Sequence, residues 1–501
     1  MTAATTLYRN GIVYSAADPT ATALLVRDGA IAWVGPEADA PSADATVDLE
    51  GALVTPAFVD AHVHATDTGL ALSGLDLSGA RSAGEVLDAV AAFAGGLSHD
   101  AVVLGHGWDE TTWADQAKPD AAALERASGG RRAYLSQASI HSALCTPSLL
   151  EAARGAAGFD ESGWVRREAH HVIRELALGS IPTPQRTEAQ RVTLRRAAAL
   201  GIAAVHECGG PGTSSEADFT GLLALSGQRL PEVYGYWGEL LAAAKARDLG
   251  AVGAGGDLYA DGALGSQTAH LSESYLDAEG CGHGYVTAEQ VRDHLLDCAA
   301  HEVQGGFHAI GDAAISTVLA GFKEAAAKLG VERLRDARHR VEHAEIMSKR
   351  LIAGFVEYGI VASMQPAFDR LWGGESQMYA QRLGVSRSLE SNPMGAMHAT
   401  GVALAFGSDS PVTPLDPWGS VRAAVRHFNP VQRMSVRAAF AAHTRGGWRV
   451  VHRDNEGVLS PGAPATFAVW SVTALANRLP VLDELPVCRR TVLRGEVIYE
   501  E

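Results

Sequence analysis

The side chains best equipped for chemistry in this 501-residue chain begin with a histidine pair that ends an apolar run. The run reads Leu53-Val54-Thr55-Pro56-Ala57-Phe58-Val59-Asp60-Ala61-His62-Val63-His64. Residues two apart on a strand project to the same side. If the run is an inner strand, His62 and His64 face one point, which offers two nitrogen ligands to a divalent metal. The alternative is incidental polarity at a strand end. Further polar groups that follow apolar strands favour the metal. They are His308 in Gly305-Gly306-Phe307-His308-Ala309-Ile310-Gly311-Asp312, His343 in Arg340-Val341-Glu342-His343-Ala344, and Asp409 in Val402-Ala403-Leu404-Ala405-Phe406-Gly407-Ser408-Asp409-Ser410-Pro411. A buried carboxylate such as Asp409 is costly unless it meets a cation or hydrogen-bond donors.

The elements that must carry these groups alternate through the middle of the chain. Amphipathic patterns predict helices over Ser82–Ala94, Glu188–Ala199, Ala288–His301, Ala313–Leu329 and Lys349–Tyr358. Apolar runs predict strands over Ala203–Glu207, Asp257–Asp261, Gly306–Ile310, Arg340–His343, Ile360–Gln365 and Val402–Ser408. The Gly253-Ala254-Gly255-Gly256 stretch precedes a predicted strand and is no dinucleotide fingerprint. Such alternation, about eight βα units counting the His-x-His strand, predicts an α/β fold built on a (β/α)8 TIM-like barrel. Both ends of the chain differ. Short runs at Thr6–Tyr8, Gly11–Ser15, Ala23–Arg27, Ala30–Val34 and Thr46–Leu49, and again at Thr466–Ser471 and Thr491–Ile498, are separated by turn signals such as Asp28-Gly29 and Arg494-Gly495. They predict a small β-sandwich domain formed from both termini, residues 1–54 plus 457–501. The barrel then takes 55–69 plus 186–456, and residues 70–185 form an inserted α/β segment near the barrel mouth, a lid or substrate wall.

Composition narrows the partners. A formal charge of −17 argues against nucleic acid or an anionic membrane surface. No run approaches the length of apolar residues that a membrane helix needs, and the first residues do not read as a signal peptide. The five scattered cysteines, without a C-x-x-C pair, fit free thiols in a reducing cytosol, so a cytoplasmic location is expected.

Taken together these motifs resemble the amidohydrolase superfamily, and within it the YtcJ-like (amidohydrolase type 3) metal-dependent hydrolases. The resemblance runs from Phe58-Val59-Asp60-Ala61-His62-Val63-His64 through Gly105-His106-Gly107-Trp108-Asp109 and Tyr259-Ala260-Asp261-Gly262-Ala263-Leu264-Gly265-Ser266. It continues through the His308, Val341-Glu342-His343, Ser363-Met364-Gln365-Pro366 and Asp409 motifs to Gly457-Val458-Leu459-Ser460-Pro461-Gly462. It implies that His62 and His64 bind a divalent metal, zinc being the expected one, as one or two ions, with Asp409 completing the shell. His308 and His343 would bind a second metal or the substrate. Asp409, with His343, would be the catalytic group, serving as general base toward an activated water and returning the proton to a leaving nitrogen.

The departures from that pattern bear on the metal and the substrate. Many relatives carry a lysine, carbamylated to bridge two metals, where this chain has Asp257; a carboxylate there holds one metal or none. Glu207 beside His206 is a further oxygen donor, with ordinary strand-end polarity as its alternative. Gln267 replaces an arginine and Phe368 a histidine that relatives often carry near the substrate. Gln365 and, from the insertion, His141, Trp108 and Asp109 are candidates to line the pocket, the alternative for Trp108 and Trp113 being a buried aromatic knot. The expected activity is metal-dependent hydrolysis of a non-peptide C–N bond: an amide, an N-acyl or N-formyl amine, or a cyclic amide. A deaminase or esterase on the same site, or an inactive binding protein on the hydrolase fold, are the alternatives. The partners expected are a small-molecule substrate and a second copy in a homodimer.

Overall fold

Eight short, almost wholly buried segments pair side by side in the order in which they occur in the chain. They are β1 (Phe58–Val63), β2 (Ile202–Gly209), β3 (Glu232–Trp237), β4 (Gly253–Ala254), β5 (Gln304–Ala309), β6 (Arg340–His343), β7 (Val361–Met364) and β8 (Ala403–Phe406). All the pairings are parallel. A bridge between Val63 and Ser410 joins the last strand to the first. There the Asp409 amide donates to the His62 carbonyl at 2.8 Å, and the His64 amide donates to Ser410 at 2.9 Å. The sheet thus closes into a TIM barrel, and the same two hydrogen bonds bring Asp409 to the histidine pair. The computed structural model describes residues 5–110, 113–115, 117–138 and 142–501.

Helices wrap the barrel because their apolar faces have nowhere else to go. Ala288–His301 starts in a capping box, in which Thr287 accepts from the Gln290 amide while the Gln290 side chain accepts from the Thr287 amide. Lys349–Tyr358 is capped by Ser348 and stops at Gly359, whose φ of 66° a residue with a Cβ would resist. Val291, Leu295, Ile315, Phe322 and Phe355 from these helices and Asp312–Leu329 share one buried core with Phe307 and Val341 of the strands. Each such side chain contributes roughly 1.5–3 kcal/mol by leaving water.

Strand β4 departs from the sequence expectation. Asp257–Asp261, predicted as a strand, is irregular, and touches β5 only through the bridge Tyr259–His308. The true strand is the pair Gly253–Ala254, followed by two glycines, within the stretch that the sequence places ahead of the strand. A Cβ on Gly255 would lie 2.5 Å from Gly306 Cα, so glycine lets the two backbones meet there. The chain leaves the sheet early and carries Asp257 past the strand end. β3 escapes the sequence reading because Gly235 interrupts its apolar pattern; Phe219 occupies the space a Cβ would need, its ring 2.4 Å away.

Both ends of the chain form two further sheets. One contains Thr5–Arg9, Ala23–Arg27, Ala30–Gly35 and Ala45–Asp48; the other contains Ile12–Val13, Leu53–Pro56, Phe467–Ser471, Val487–Leu493 and Glu496–Glu500. Tyr8, Leu24, Ile31, Val54, Phe467 and Val492 make their common core. These sheets and the barrel belong to one compact unit, residues 1–65 and 194–501.

A second compact unit spans Thr66–Thr193. Its sheet has the order Trp164–Arg166, Ser142–Cys145, Ala133–Gln137, Val103–Trp108 and Leu75–Asp76. Trp108, offered by the sequence as a substrate contact, is instead part of this unit's own core. It is 1% exposed, packs 5.9 Å from Trp113 and 5.1 Å from Trp164, and donates its indole N–H to the Leu135 carbonyl at 3.1 Å. The aromatic knot is the outcome because indole offers both a large apolar surface and one polar atom to satisfy. Among the described residues no helix is long and apolar enough to cross a membrane, and all five cysteines are free thiols.

Candidate metal centre

The C-terminal ends of the barrel strands gather the predicted side chains. His62 and His64 leave β1 two residues apart, and Asp409 follows β8. Gly407 is required at that corner: a Cβ there would stand 2.4 Å from the His62 amide nitrogen. Asp60, fully buried, ties the same corner by accepting from the Ser408 amide at 2.8 Å. Asp409 Oδ1 lies 3.4 Å from His62 Nε2 and 3.2 Å from His64 Nε2. Asp257 meets the same two nitrogens at 3.5 and 3.2 Å. Asp409 and His343 adopt left-handed backbone (φ 56° and 70°), a strained conformation that clusters at functional sites.

His62, His64 and Asp409 form one set of donors all within 4.8 Å of one another, and His62, Asp257 and His343 form another. Two polar atoms in the cluster, His62 Nε2 and Asp257 Oδ1, are buried without a hydrogen-bond partner. Nitrogen and carboxylate donors left unpaired in the interior fit a divalent cation, which is what would satisfy them. His62, His64, Asp409 and Asp257 are the residues that would hold it. Without a cation the imidazoles must supply the positive charge. Burial works against protonated His64, but hydrogen bonds and charge from Asp257 and Asp409 hold its pKa well above the ordinary histidine value. Burial likewise raises the cost of a charged Asp257, yet His62, His64 and His308 hold it far below the carboxylate range.

The histidines are set from behind. His62 Nδ1 donates to Glu342 Oε2 at 2.8 Å, which leaves Nε2 free to coordinate. Glu342 is gripped by Arg340 through two hydrogen bonds of 2.5 and 2.8 Å, and the guanidinium lies 4.3 Å over the Tyr236 ring. All of these groups are buried in the barrel interior. Glu342→Gln should therefore have two effects. It leaves Arg340 as an unneutralised buried charge, costing roughly 3–5 kcal/mol of stability. It also loosens His62, so metal affinity falls about 10- to 100-fold in a chelator competition. Unchanged melting and unchanged affinity would remove this role from Glu342.

His343 is oriented by Gln365, whose Oε1 accepts from Nδ1 at 2.7 Å. Gln365, a substrate candidate from sequence, instead stands behind a histidine. Phe368 lies parallel to the His343 ring at 5.8 Å. Burial, with His308 close by, pushes His343 down to about 4, so its Nε2 is a neutral lone pair at physiological pH. His308 stands edge-on to His343, ring centroids 4.5 Å apart, and lies 3.6 Å from Asp261, outside these donor sets. Asp261 is a residue whose role the sequence did not reveal: it accepts from the amides of His270, Ile310 and Gly311 at 2.8 to 2.9 Å and so knits the loops after β4 and β5.

The remaining candidates fall elsewhere. Glu207 accepts from the Ala65 amide at 2.8 Å and belongs to neither donor set. Gln267 turns away to donate to Asp277 at 3.0 Å. Asp109, in the second unit, accepts from Gln137 at 3.5 Å. His141 lies outside the described residues.

Beside the donors opens a cavity of about 310 Å³, lined by His64, Asp257, His308, His343 and Asp409 on one side. Leu264, Ile310, Phe368, Trp372, Met378 and Tyr379 line the rest, together with Glu345. Burial pushes Glu345 up to about 7, against the hydrogen bonds from Tyr379 and Asn392 and the charge of His308.

A closed parallel barrel that gathers histidine and aspartate side chains at the carboxyl ends of its strands presents them where TIM-barrel enzymes carry their active sites. The chain belongs to the amidohydrolase family, which it matches over residues 45–499. It is 28% identical to the Arabidopsis thaliana protein LONG AFTER FAR-RED 3, across 93% of this chain and 87% of that protein. To the YtcJ amidohydrolase of Bacillus subtilis it is 24% identical, across 91% and 90% respectively. Among solved structures, a metal-dependent hydrolase from Pyrococcus furiosus superimposes with a TM-score of 0.77 at 24% identity, covering 93% of this chain and 98% of that one.

Proposed function

We propose that this protein hydrolyses a C–N bond in a small non-peptide substrate, such as an N-acyl or N-formyl amine or a cyclic amide, with zinc at the His62, His64 and Asp409 donors. The observation that carries the reading is the convergence of these donors, with Asp257, around buried atoms that lack partners, beside a cavity of small-molecule size. A divalent cation held there supplies Lewis acidity toward a carbonyl and lowers the pKa of water toward neutrality. The chain's own groups do the rest. Asp409 faces the donors with one oxygen and is the base that takes a proton from the attacking water and returns it to the leaving nitrogen. His343, fixed by Gln365 with its lone pair inward, accepts a ligand or a hydrogen bond. The apolar wall excludes bulk water and strengthens these electrostatic contacts. The two terminal sheets we read as one β-sandwich domain, and the Thr66–Thr193 unit as an insertion between β1 and β2.

The test is protein purified without chelator, assayed for metal and offered N-acyl amines, cyclic amides, esters and dipeptides side by side. Bound zinc with release of amine from an amide is expected. Absence of bound Zn, Mn, Fe and Ni, with no hydrolysis on adding them, overturns the proposal. Ammonia release from a ring, or turnover of esters alone, would reassign the bond.

A further inference from the structure

Within the largely apolar part of the cavity one group is out of place. Glu345 is 1% exposed and lines the cavity. Its Oε2 accepts from the Tyr379 hydroxyl and from Asn392 Nδ2, and its backbone carbonyl accepts from the Asn392 amide at 2.8 Å. Among the described residues Oε1 has no hydrogen-bond or ion-pair partner, and no lysine or arginine lines the cavity. The left-handed pair His343 and Ala344 (φ 70° and 49°) turns the chain so that Glu345 enters from the strand end that also carries His343. An unpaired carboxyl oxygen in apolar surroundings is expensive, and a leucine or methionine would fill this position without that cost. Tyr379 and Asn392, in turn, fix which oxygen is left over.

We infer that Glu345 Oε1 is a specificity determinant that receives a hydrogen-bond donor of the substrate. The substrate class is then an amide with an apolar, aromatic-sized body that carries an amine or N–H group remote from the scissile bond. A carboxylate at that position is disfavoured, because its oxygens would meet Oε1 as acceptor against acceptor, with no donor to pair them. A site built to pair a donor discriminates against the isostere lacking it far more strongly than an apolar pocket discriminates by size. This inference rests on the hydrolase reading for its scissile bond, so its test reads binding rather than turnover.

Three benzamides serve as probes: 4-aminobenzamide, its isostere 4-methylbenzamide, and 4-carboxybenzamide, each titrated calorimetrically into the metal-loaded protein. The amino compound should bind at least tenfold tighter than the methyl compound, and the carboxy compound weakest of all. In Glu345→Leu the amino-to-methyl ratio should collapse toward one. Glu345→Gln, which keeps an acceptor for Tyr379 and Asn392, guards against a folding defect and should lower the ratio at least threefold. A ratio unchanged in both variants, or a wild-type preference for the methyl or carboxy compound, overturns the inference. If binding discriminates as stated but no amide is hydrolysed, the hydrolase reading fails while the subsite stands.

Discussion

Asp409→Asn should lower kcat by about 10³-fold, within the range that a positioned proton carrier contributes, and leave ligand binding in the cavity within a few-fold of wild type. The substitution is close to isosteric. It also respects the backbone, because Asp409 sits at φ 56°, and asparagine is among the few residues that adopt the left-handed region readily. The amide bond from residue 409 to the His62 carbonyl at 2.8 Å involves no side-chain atom, so the closure of the barrel is kept. What is lost is the negative charge 3.2 to 3.4 Å from His64 and His62, and with it the base. Metal content must be measured on the same sample, since an amide oxygen is a weaker ligand than a carboxylate. Retention of more than a tenth of the wild-type kcat at full metal loading would falsify the assignment of Asp409 as base. Loss of binding in step with turnover would instead make it a ligand alone.

The sequence discloses the parts of this centre that obey strand periodicity. His62 and His64 are two apart on an apolar run, and Asp409 follows an apolar strand that opens through a glycine; both patterns survive in the folded chain. Arg340 and Glu342 obey the same period, and their alternation with Val341 places them together on the inner face. Their partner, however, is the His62 ring, 280 residues away from Glu342 in the chain, and nothing local signals that pairing. Asp257 was visible only as a departure from a lysine; its approach to His62 and His64 depends on β4 ending after two residues, a consequence of backbone contact between Gly255 and Gly306. Gln365 and Gln267 are polar groups beside motifs, and sequence cannot say which way such a side chain turns: one backs His343 and the other reaches Asp277. Glu345 was hidden for a further reason. It enters the cavity because two residues without glycine's freedom adopt positive φ, a conformation that tertiary contacts impose against local preference.

Removal of the metal by a chelator should abolish turnover and restoration of zinc should recover it, with an affinity that depends steeply on pH in a direction the site dictates. In the metal-free protein burial disfavours charge on His62, but Cys208, Asp409 and Asp257 around it outweigh burial and hold its pKa well above the ordinary value. Cys208 is itself kept protonated by burial, so the two carboxylates carry the effect. His64 is raised in the same sense by Asp257 and Asp409. A raised histidine pKa in the folded state stabilises the fold fully below the unfolded value, near 6.5, and that stabilisation fades as pH climbs through the folded-state value. The metal-free protein should therefore melt higher as pH is lowered from 9 toward 6. Zinc requires both rings as neutral ligands, so it must displace two protons in that window. Its affinity should fall by up to about 100-fold per pH unit, equivalent to about 2.7 kcal/mol of metal-linked stability. Melting curves with and without zinc at pH 6, 7, 8 and 9 read both trends at once, the gap between them narrowing as pH falls. A gap of constant width would mean that His62 and His64 carry no extra protons to release, and the cation would then have to bind away from the two carboxylates that hold those protons in place.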